Sequence, residues 1–512
     1  MLKKLFKFIT SRLFVFAILA LLQILLVVSV SAYYTWSSEA YFITSTAVGV
    51  VLAIIISVNG TNPSYRQAWL IFIIAMPLAG TLFYLFFGNK NLGAWGRRKI
   101  RPYSEIRKSV RRRALPEGLK PETLKDERFR RLSSYVRNIS EYEPFAGTQA
   151  TYFDLGDRIL PVMMEKLSAA RKFIFLESFI YDAQSTVWNE LLTLLRRKVA
   201  EGVEVYLIYD DMGSINTLPL HYDRLLEGYG IHAVKFNPIH FRLNPKLNFR
   251  DHRKICVIDG NIGFNGGLNF ADEYFNRIIR FGHWKDTVIM LEGRAVWNYT
   301  LMFIQLWSFA KEDENAFEIQ KFVPTWTVPD DGTVLAFGDS PLDEHNVSEN
   351  VYLNIISSAR RYVWITTPYL ILDNEMITAL TTAAQSGVDV RIITPHYPDK
   401  KLVFALTRAN YKPLVRQGVK IYEYTPGFIH SKVFVSDDEI AVVGTTNMDY
   451  RSFYLHFECG TILMGSSCIP DIRRDYEQTL EISRQVTHDD IMRVPWYKRA
   501  WRSIINQLAP LL

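Results

Sequence analysis

His252-Arg-Lys-Ile-Cys-Val-Ile-Asp259 and His430-Ser-Lys-Val-Phe-Val-Ser-Asp437 share one pattern, His-x-Lys-x4-Asp, and stand 178 residues apart. Downstream of the first comes Gly266-Gly267-Leu-Asn269, and at the same offset downstream of the second comes Gly444-Thr445-Thr-Asn447. One such motif is a weak signal, met by chance in roughly a few hundredths of chains. Two in register, each followed by the same Gly and Asn, mark a duplicated unit.

The surrounding pattern is that of alternating strands and helices. Phe173–Ile180 and Val203–Asp210 are short β-rich runs, and Val187–Glu201 between them has helical periodicity. The unit returns as strand Tyr362–Tyr369, helix Asn374–Ser386 and strand Val388–Pro395. This predicts an α/β fold with a mixed or largely parallel sheet covered on both faces, present twice. A site shared by the two copies would lie on a pseudo-twofold axis. Asp210-Asp211 is expected to end a strand in a turn.

On a strand, residues i and i+2 share a face. Each copy should therefore present an imidazole beside an ammonium, His252 with Lys254 and His430 with Lys432. Ile255, Val257, Val433 and Val435 should pack behind them. Gly266 and Gly444 would permit a tight turn near a ligand, and Asn269 and Asn447 would add amide donors. Two His, two Lys and two Asn around one point make a metal-free pocket for a tetrahedral anion, and phosphate fits it. One neutral imidazole can attack phosphorus to form a phosphohistidine, while the other passes a proton to the leaving alkoxide. Each His needs an acceptor on its far nitrogen. Asp286 and Glu458, each about thirty residues past the His of its own half, are the candidates. Asp259 and Asp437 fall on the opposite strand face and read as structural.

Composition bounds the rest. The chain has 512 residues, 49% hydrophobic, a net charge of +7 and three cysteines, which excludes disorder, collagen and a disulfide scaffold. Its mean hydropathy of +0.02 averages two unlike parts. Between Leu13 and Asn89 only Glu39 and Arg66 carry charge. Three apolar stretches, Leu13–Ser38, Ala40–Tyr65 and Gln67–Asn89, each have the roughly 20 residues that span a hydrocarbon core. Lys90–Arg113 then carries ten Lys/Arg and one acid, a cytoplasmic signature. The expected division is a membrane anchor of two to three transmembrane helices over 1–89, a basic linker over 90–146, and two halves over 147–325 and 326–512. Near the C-terminus, Arg493–Arg502 mixes Trp496, Tyr497 and Trp501 with basic residues, as an interfacial helix or one packed on the body would.

The duplicated motif resembles the phospholipase D superfamily, and its surroundings resemble the bacterial cardiolipin synthases. The resemblance runs through Ala68-Trp69, Pro77, Gly80, Asn248-Phe-Arg-Asp-His252, Gly266–Tyr274, Trp284-Lys-Asp286, Thr367-Pro-Tyr369, Asn447–Phe453 and Pro510-Leu-Leu512. It implies two phospholipase D-like α/β/α halves behind N-terminal transmembrane helices, in the bacterial cell membrane; the ten basic residues of Lys90–Arg113 favour a body on the cytoplasmic side. It implies transfer of a phosphatidyl group between two phosphatidylglycerol molecules, giving cardiolipin and glycerol, with no cofactor. It makes His252 the nucleophile and His430 the acid/base, gives Asp286 and Glu458 the orienting role, and counts Asp259 and Asp437 in the active-site set. An Asn common two residues before the second acid is His456 here. The competing reading is a phospholipase D-type phosphodiesterase that hydrolyses phospholipids. The apolar segment and two complete motifs in one chain argue against a nucleic-acid substrate. The sequence leaves the oligomeric state open.

Overall fold

The structure is a computed structural model that describes residues 25, 35–58, 62–87, 103, 105–110, 119, 121–238, 249–343 and 345–511. These fall into two compact units, one of residues 35–87 with 497–511, the other of residues 103–496.

In the first unit, α1 (Thr35–Val58) has 24 residues, α2 (Pro63–Ala75) 13 and α3 (Pro77–Phe87) 11. The stretch Gln67–Asn89, expected as one span, is therefore interrupted at Met76. Pro77 has no N–H to donate and its ring clashes with the preceding turn, so it starts a new helix and does not continue the old one. No helix among the residues described to their side chains is long and apolar enough to cross a membrane. Most of Leu13–Ser38 and of Lys90–Arg113 lies outside the described residues. Trp69 is buried against Phe72, Phe83 and Tyr84, with ring centroids 6.2, 5.7 and 5.2 Å away. Leu511 joins that cluster, and the Gln67 side-chain amide donates to Gln507 at 3.2 Å. The last fifteen or so residues thus end with the apolar helices and not with the second half.

The second unit holds the duplication. Its first sheet contains β1 (Thr148–Phe153), β2 (Phe173–Ser178), β3 (Glu204–Asp210), β4 (His232–Phe236), β5 (Ile255–Ile258), β6 (Ile262–Gly266) and β7 (Val288–Gly293), in the spatial order β1-β7-β6-β5-β2-β3-β4. Its second contains β8 (Thr333–Asp339), β9 (Tyr362–Thr366), β10 (Asp389–Pro395), β11 (Lys420–Tyr424), β12 (Val433–Ser436), β13 (Ile440–Gly444), β14 (His456–Met464) and β15 (Ser483–Val486), in the order β8-β14-β13-β12-β9-β10-β11-β15. Strand for strand the first seven positions coincide, and so do the directions. The β2–β3–β4 and β9–β10–β11 pairs are parallel and the remaining pairs antiparallel. The expected strands and helices fall within a few residues of those observed, with helix Thr186–Ala200 capped by Ser185 and helix Asn374–Gln385 capped by Asp373.

One apolar cluster takes side chains from both sheets: Phe175, Ile255, Val257 and Ile289 from the first, Val334, Val363, Val433 and Val435 from the second. The helix Val296–Lys311 runs through it with residues 296–308 all buried, which is why its apolar residues show no single face. A second cluster, including Cys256, Ile258 and Leu176, covers the other face of the first sheet under its helices. Both faces of β5 are therefore buried. Asp210 ends β3 and accepts from the Met212 and Gly213 N–H groups, both at 2.9 Å, the turn role expected of it.

Candidate active site

Each motif histidine lies in an extended link just before its strand and not within it, a difference from the reading of the sequence. The reason is a pairing across the two halves. The two-residue strand Arg250–Asp251 runs parallel to the start of β14, with Arg250 opposite His456 and Asp251 opposite Phe457. The strand Gly427–Ile429 runs parallel to His283–Lys285, with Ile429 opposite Lys285. The register continues by one residue in both places. His252 donates its backbone N–H to Phe457 O at 2.9 Å, and His430 donates to Lys285 O at 2.7 Å.

That register decides which acid meets which imidazole. The His252 Nδ1–H donates to Glu458, with Oε1 at 2.9 Å and Oε2 at 3.0 Å. The His430 Nδ1–H donates to Asp286 Oδ2 at 2.6 Å. Asp286 and Glu458 both meet a motif histidine, but across the halves and not within them as the sequence spacing suggested. Both histidines, Lys254 and Lys432 are at most 7% exposed. The lysines donate back to the carbonyls of His252 and His430, and Lys432 Nζ is also 3.0 Å from His430 Nδ1. Between them the chain alternates as expected. Arg253 points away onto Glu177 at 2.6 Å, and Ser431 onto Thr366 at 3.0 Å.

Asp259 and Asp437 face elsewhere. The Asp259 carboxylate accepts the N–H groups of Arg171, Lys172 and Phe173 at 2.7–3.0 Å. Asp437 accepts those of Arg360, Arg361 and Tyr362 at 2.8–3.0 Å. They fasten the starts of β2 and β9, and their hydrogen-bonding capacity is spent there, not on a phosphate. Asn269 accepts from the Ile180 N–H at 3.1 Å and from Ser178 at 3.2 Å, while Oδ1 of Asn447 is buried without a hydrogen-bond partner. Gly266 and Gly444 serve close strand contact and not a turn at a ligand. A Cβ on either would meet the neighbouring strand's backbone, at 2.2 Å from Thr287 O and 2.5 Å from Cys459 O.

Reading the sequence missed the groups that hold the acids. Thr445 donates its hydroxyl to Glu458. Its counterpart in the repeat, Gly267, leaves room for the shorter acid, since a Cβ there would lie 1.9 Å from Asp286 Oδ1. The paired positions Gly267 and Thr445 were visible as a mismatch in the repeat, but their meaning depends on the crossed acids. Gly267→Ala should push Asp286 off His430 and lower turnover by about 100-fold, measured as kcat with the fold checked by circular dichroism. Phe179 lies 5.2 Å from the His252 ring, and Tyr274 and Trp284 lie 5.5 and 5.4 Å from that of His430. These aromatic walls also escaped the motif reading.

The electrostatics follow from burial. Burial, with the nearby lysines, pushes His252 well below its usual range and His430 down to about 4. Burial takes Lys254 down to about 8 and Lys432 to about 7. Burial would raise Asp286, but His430 and Lys432 outweigh it and hold the carboxyl low. In the free site both imidazoles are neutral, so Nε2 of each keeps its lone pair. Loss of charge on Lys432 and then Lys254 should make kcat/KM fall as pH rises through about 7 to 8. A bound phosphodiester anion favours the charged lysines, so kcat should hold to higher pH. A kcat/KM that stays flat to pH 10 would contradict this.

Comparison with known proteins places the chain. A family profile described as "Cardiolipin synthase, PLD-like domain" matches residues 352–480, and one described as phospholipase D-nuclease N-terminal matches residues 48–89. The chain is 33% identical over 512 residues to a cardiolipin synthase of Alkalihalophilus pseudofirmus, covering 98% of this chain and 100% of the relative. It is 32% identical over 510 residues to a cardiolipin synthase of Halalkalibacterium halodurans, covering 96% and 99%. An uncharacterized protein of Streptococcus mutans is 43% identical over 460 residues, covering 87% of this chain and 96% of that one. Among solved structures, phosphatidylserine synthase of Haemophilus influenzae shares the fold, with a TM-score of 0.55 at 13% identity over 75% of this chain and all of that one.

Proposed function

The chain belongs to the cardiolipin synthase family, and on that premise we propose that it transfers a phosphatidyl group from one phosphatidylglycerol to another, forming cardiolipin and releasing glycerol. The observation that carries this reading is the pair of buried histidines, each with its far nitrogen on an acid and each beside a lysine.

His252 Nε2 attacks phosphorus, and the bond from phosphorus to the glycerol oxygen breaks. His430 Nε2–H gives its proton to that oxygen, and glycerol leaves. Bound phosphodiester charge against His430 raises its proton affinity from the low value of the free site. The primary hydroxyl of a second phosphatidylglycerol then loses its proton to His430 and attacks phosphorus, the P–N bond breaks, and His252 is restored. Lys254 and Lys432 stabilise charge on the non-bridging oxygens, and we assign the Asn269 and Asn447 amides the same role. Deep burial of the four basic groups favours a lipid alcohol over water in the second step. The reaction as written needs no cofactor.

The membrane assignment belongs to the same reading. We propose that residues 1–89 anchor the protein, with the enzymatic body and the basic 90–113 segment both on the cytoplasmic side. Ile43, Val50, Val51, Ile54, Ile55 and Val58 of α1 are exposed, a surface suited to lipid. Trp501 and Ile504 near the C-terminus are also exposed, at 58% and 60%, beside Lys498 and Arg502, as in an interfacial helix. Reporter fusions at both ends test the sidedness. For the activity, purified protein in phosphatidylglycerol vesicles should yield cardiolipin and glycerol in equal amounts by mass spectrometry. Phosphatidic acid alone would identify a hydrolase, and no turnover would overturn catalysis.

A further inference from the structure

His456 stands beside the nucleophile and takes no part in the steps above. Its ring centroid is 5.4 Å from that of His252. Its Nδ1 is 3.6 Å from Glu458 Oε1, the same oxygen that lies 2.9 Å from His252 Nδ1. That Nδ1 is buried and has no hydrogen-bond partner. One ligand atom from each of His252, His456 and Glu458 lies within 4.8 Å of the other two. A tetrahedral ion with nitrogen and oxygen ligands at about 2.0–2.2 Å holds them about 3.4 Å apart. The observed 2.9 and 3.6 Å bracket that spacing, and the widest separation, within 4.8 Å, needs to close by at most about 1.4 Å to reach it. Two imidazoles and one carboxylate, with a fourth position left for water, suit zinc and its neighbours.

We propose that His252, His456 and Glu458 form a binding site for a zinc-class divalent ion, and that the ion switches phosphatidyl transfer off. The second part rests on the role of His252 as nucleophile. In the free site Nδ1 of His252 carries the proton and Nε2 the attacking lone pair. An ion on Nδ1 takes the lone pair there, and the ring proton moves to Nε2. The imidazole stays neutral and no proton is released, but the lone pair that attacks phosphorus is gone. The charge of the ion, added to that of Lys254, further opposes formation of an imidazolium. The counterpart around His430 and Asp286 lacks the third ligand among the described residues, because the residue two before Asp286 is Trp284, which offers none. The device therefore acts on one of the two histidines.

The test uses the full chain, stripped of metal by a chelator. Cobalt(II), a spectroscopic stand-in for zinc, should bind once per chain with the visible absorption of a tetrahedral site. His456→Asn and His456→Gln should lose that absorption. Zinc should inhibit transfer by the unaltered chain, and EDTA should restore it. Both variants should keep transfer and need at least about tenfold more zinc for half-inhibition, since removing a ligand costs no less than removing an outer-shell partner. Cobalt absorption unchanged in the variants, or equal zinc sensitivity in all three proteins, overturns the proposal. If the unaltered chain binds cobalt through His456 but makes no cardiolipin in metal-free buffer, the metal site stands and the transferase reading fails.

Discussion

His252→Ala should eliminate cardiolipin formation and, with it, any covalent phosphatidyl-enzyme. The expected loss is at least about 10⁴-fold and on the order of 10⁶-fold if the two histidines act as a unit. The neighbouring His456 is a poor substitute, because its ring lacks a hydrogen-bonded acceptor on Nδ1 and burial holds its pKa down to about 3. His430→Ala should lose turnover too, but for another reason. It keeps the nucleophile and loses the proton donor, so a substrate with a good leaving group should still phosphorylate His252. Rapid quench with labelled lipid, followed by alkaline isolation of phosphohistidine, separates the two. Label found on residue 430 in the unaltered enzyme would reverse the assignment of roles.

The second large effect concerns the crossed acids. Glu458→Gln should cost about 10⁴-fold, the scale of replacing an orienting carboxylate by its amide. The amide presents an N–H to His252 Nδ1, which favours the tautomer with the proton on Nε2 and removes the attacking lone pair. Asp286→Asn should instead disable His430. A phosphatidyl ester of p-nitrophenol discriminates between them, because that leaving group departs without a proton. Release of p-nitrophenol should survive in Asp286→Asn and fail in Glu458→Gln. The opposite outcome would mean that each acid serves the histidine of its own half, against the 2.6 and 2.9 Å contacts.

Much of this was readable from the chain, and what was not has a physical reason. The strands at Phe173 and Tyr362 and the helices between them announce themselves by local periodicity, which burial enforces residue by residue. The motif copies carry the His and Lys by spacing alone. The structural role of Asp259 and Asp437 also came from spacing, because residues five past the Lys fall on the other strand face, where their carboxylates accept backbone N–H groups. The partner of each histidine did not, because 206 residues separate His252 from Glu458 and 144 separate His430 from Asp286. Such pairings are set by the strand register at Arg250–Asp251 and Gly427–Ile429, and two- and three-residue strands leave almost no pattern in a sequence. The reading of Gln67–Asn89 as one span failed for a related reason. Hydropathy reports how apolar a stretch is and is insensitive to the break at Pro77.

The crossed register also bears on ancestry. A single repeat, before duplication, would have carried a histidine and an acid that could not meet each other. It could complete its chemistry only by pairing with a second copy, each lending its acid to the other. Fusion of two copies into one chain would remove the need for that encounter and make the two loans independent. One lineage could then settle on a short acid beside a glycine, the other on a longer acid beside a threonine, and neither change had to be tolerated twice.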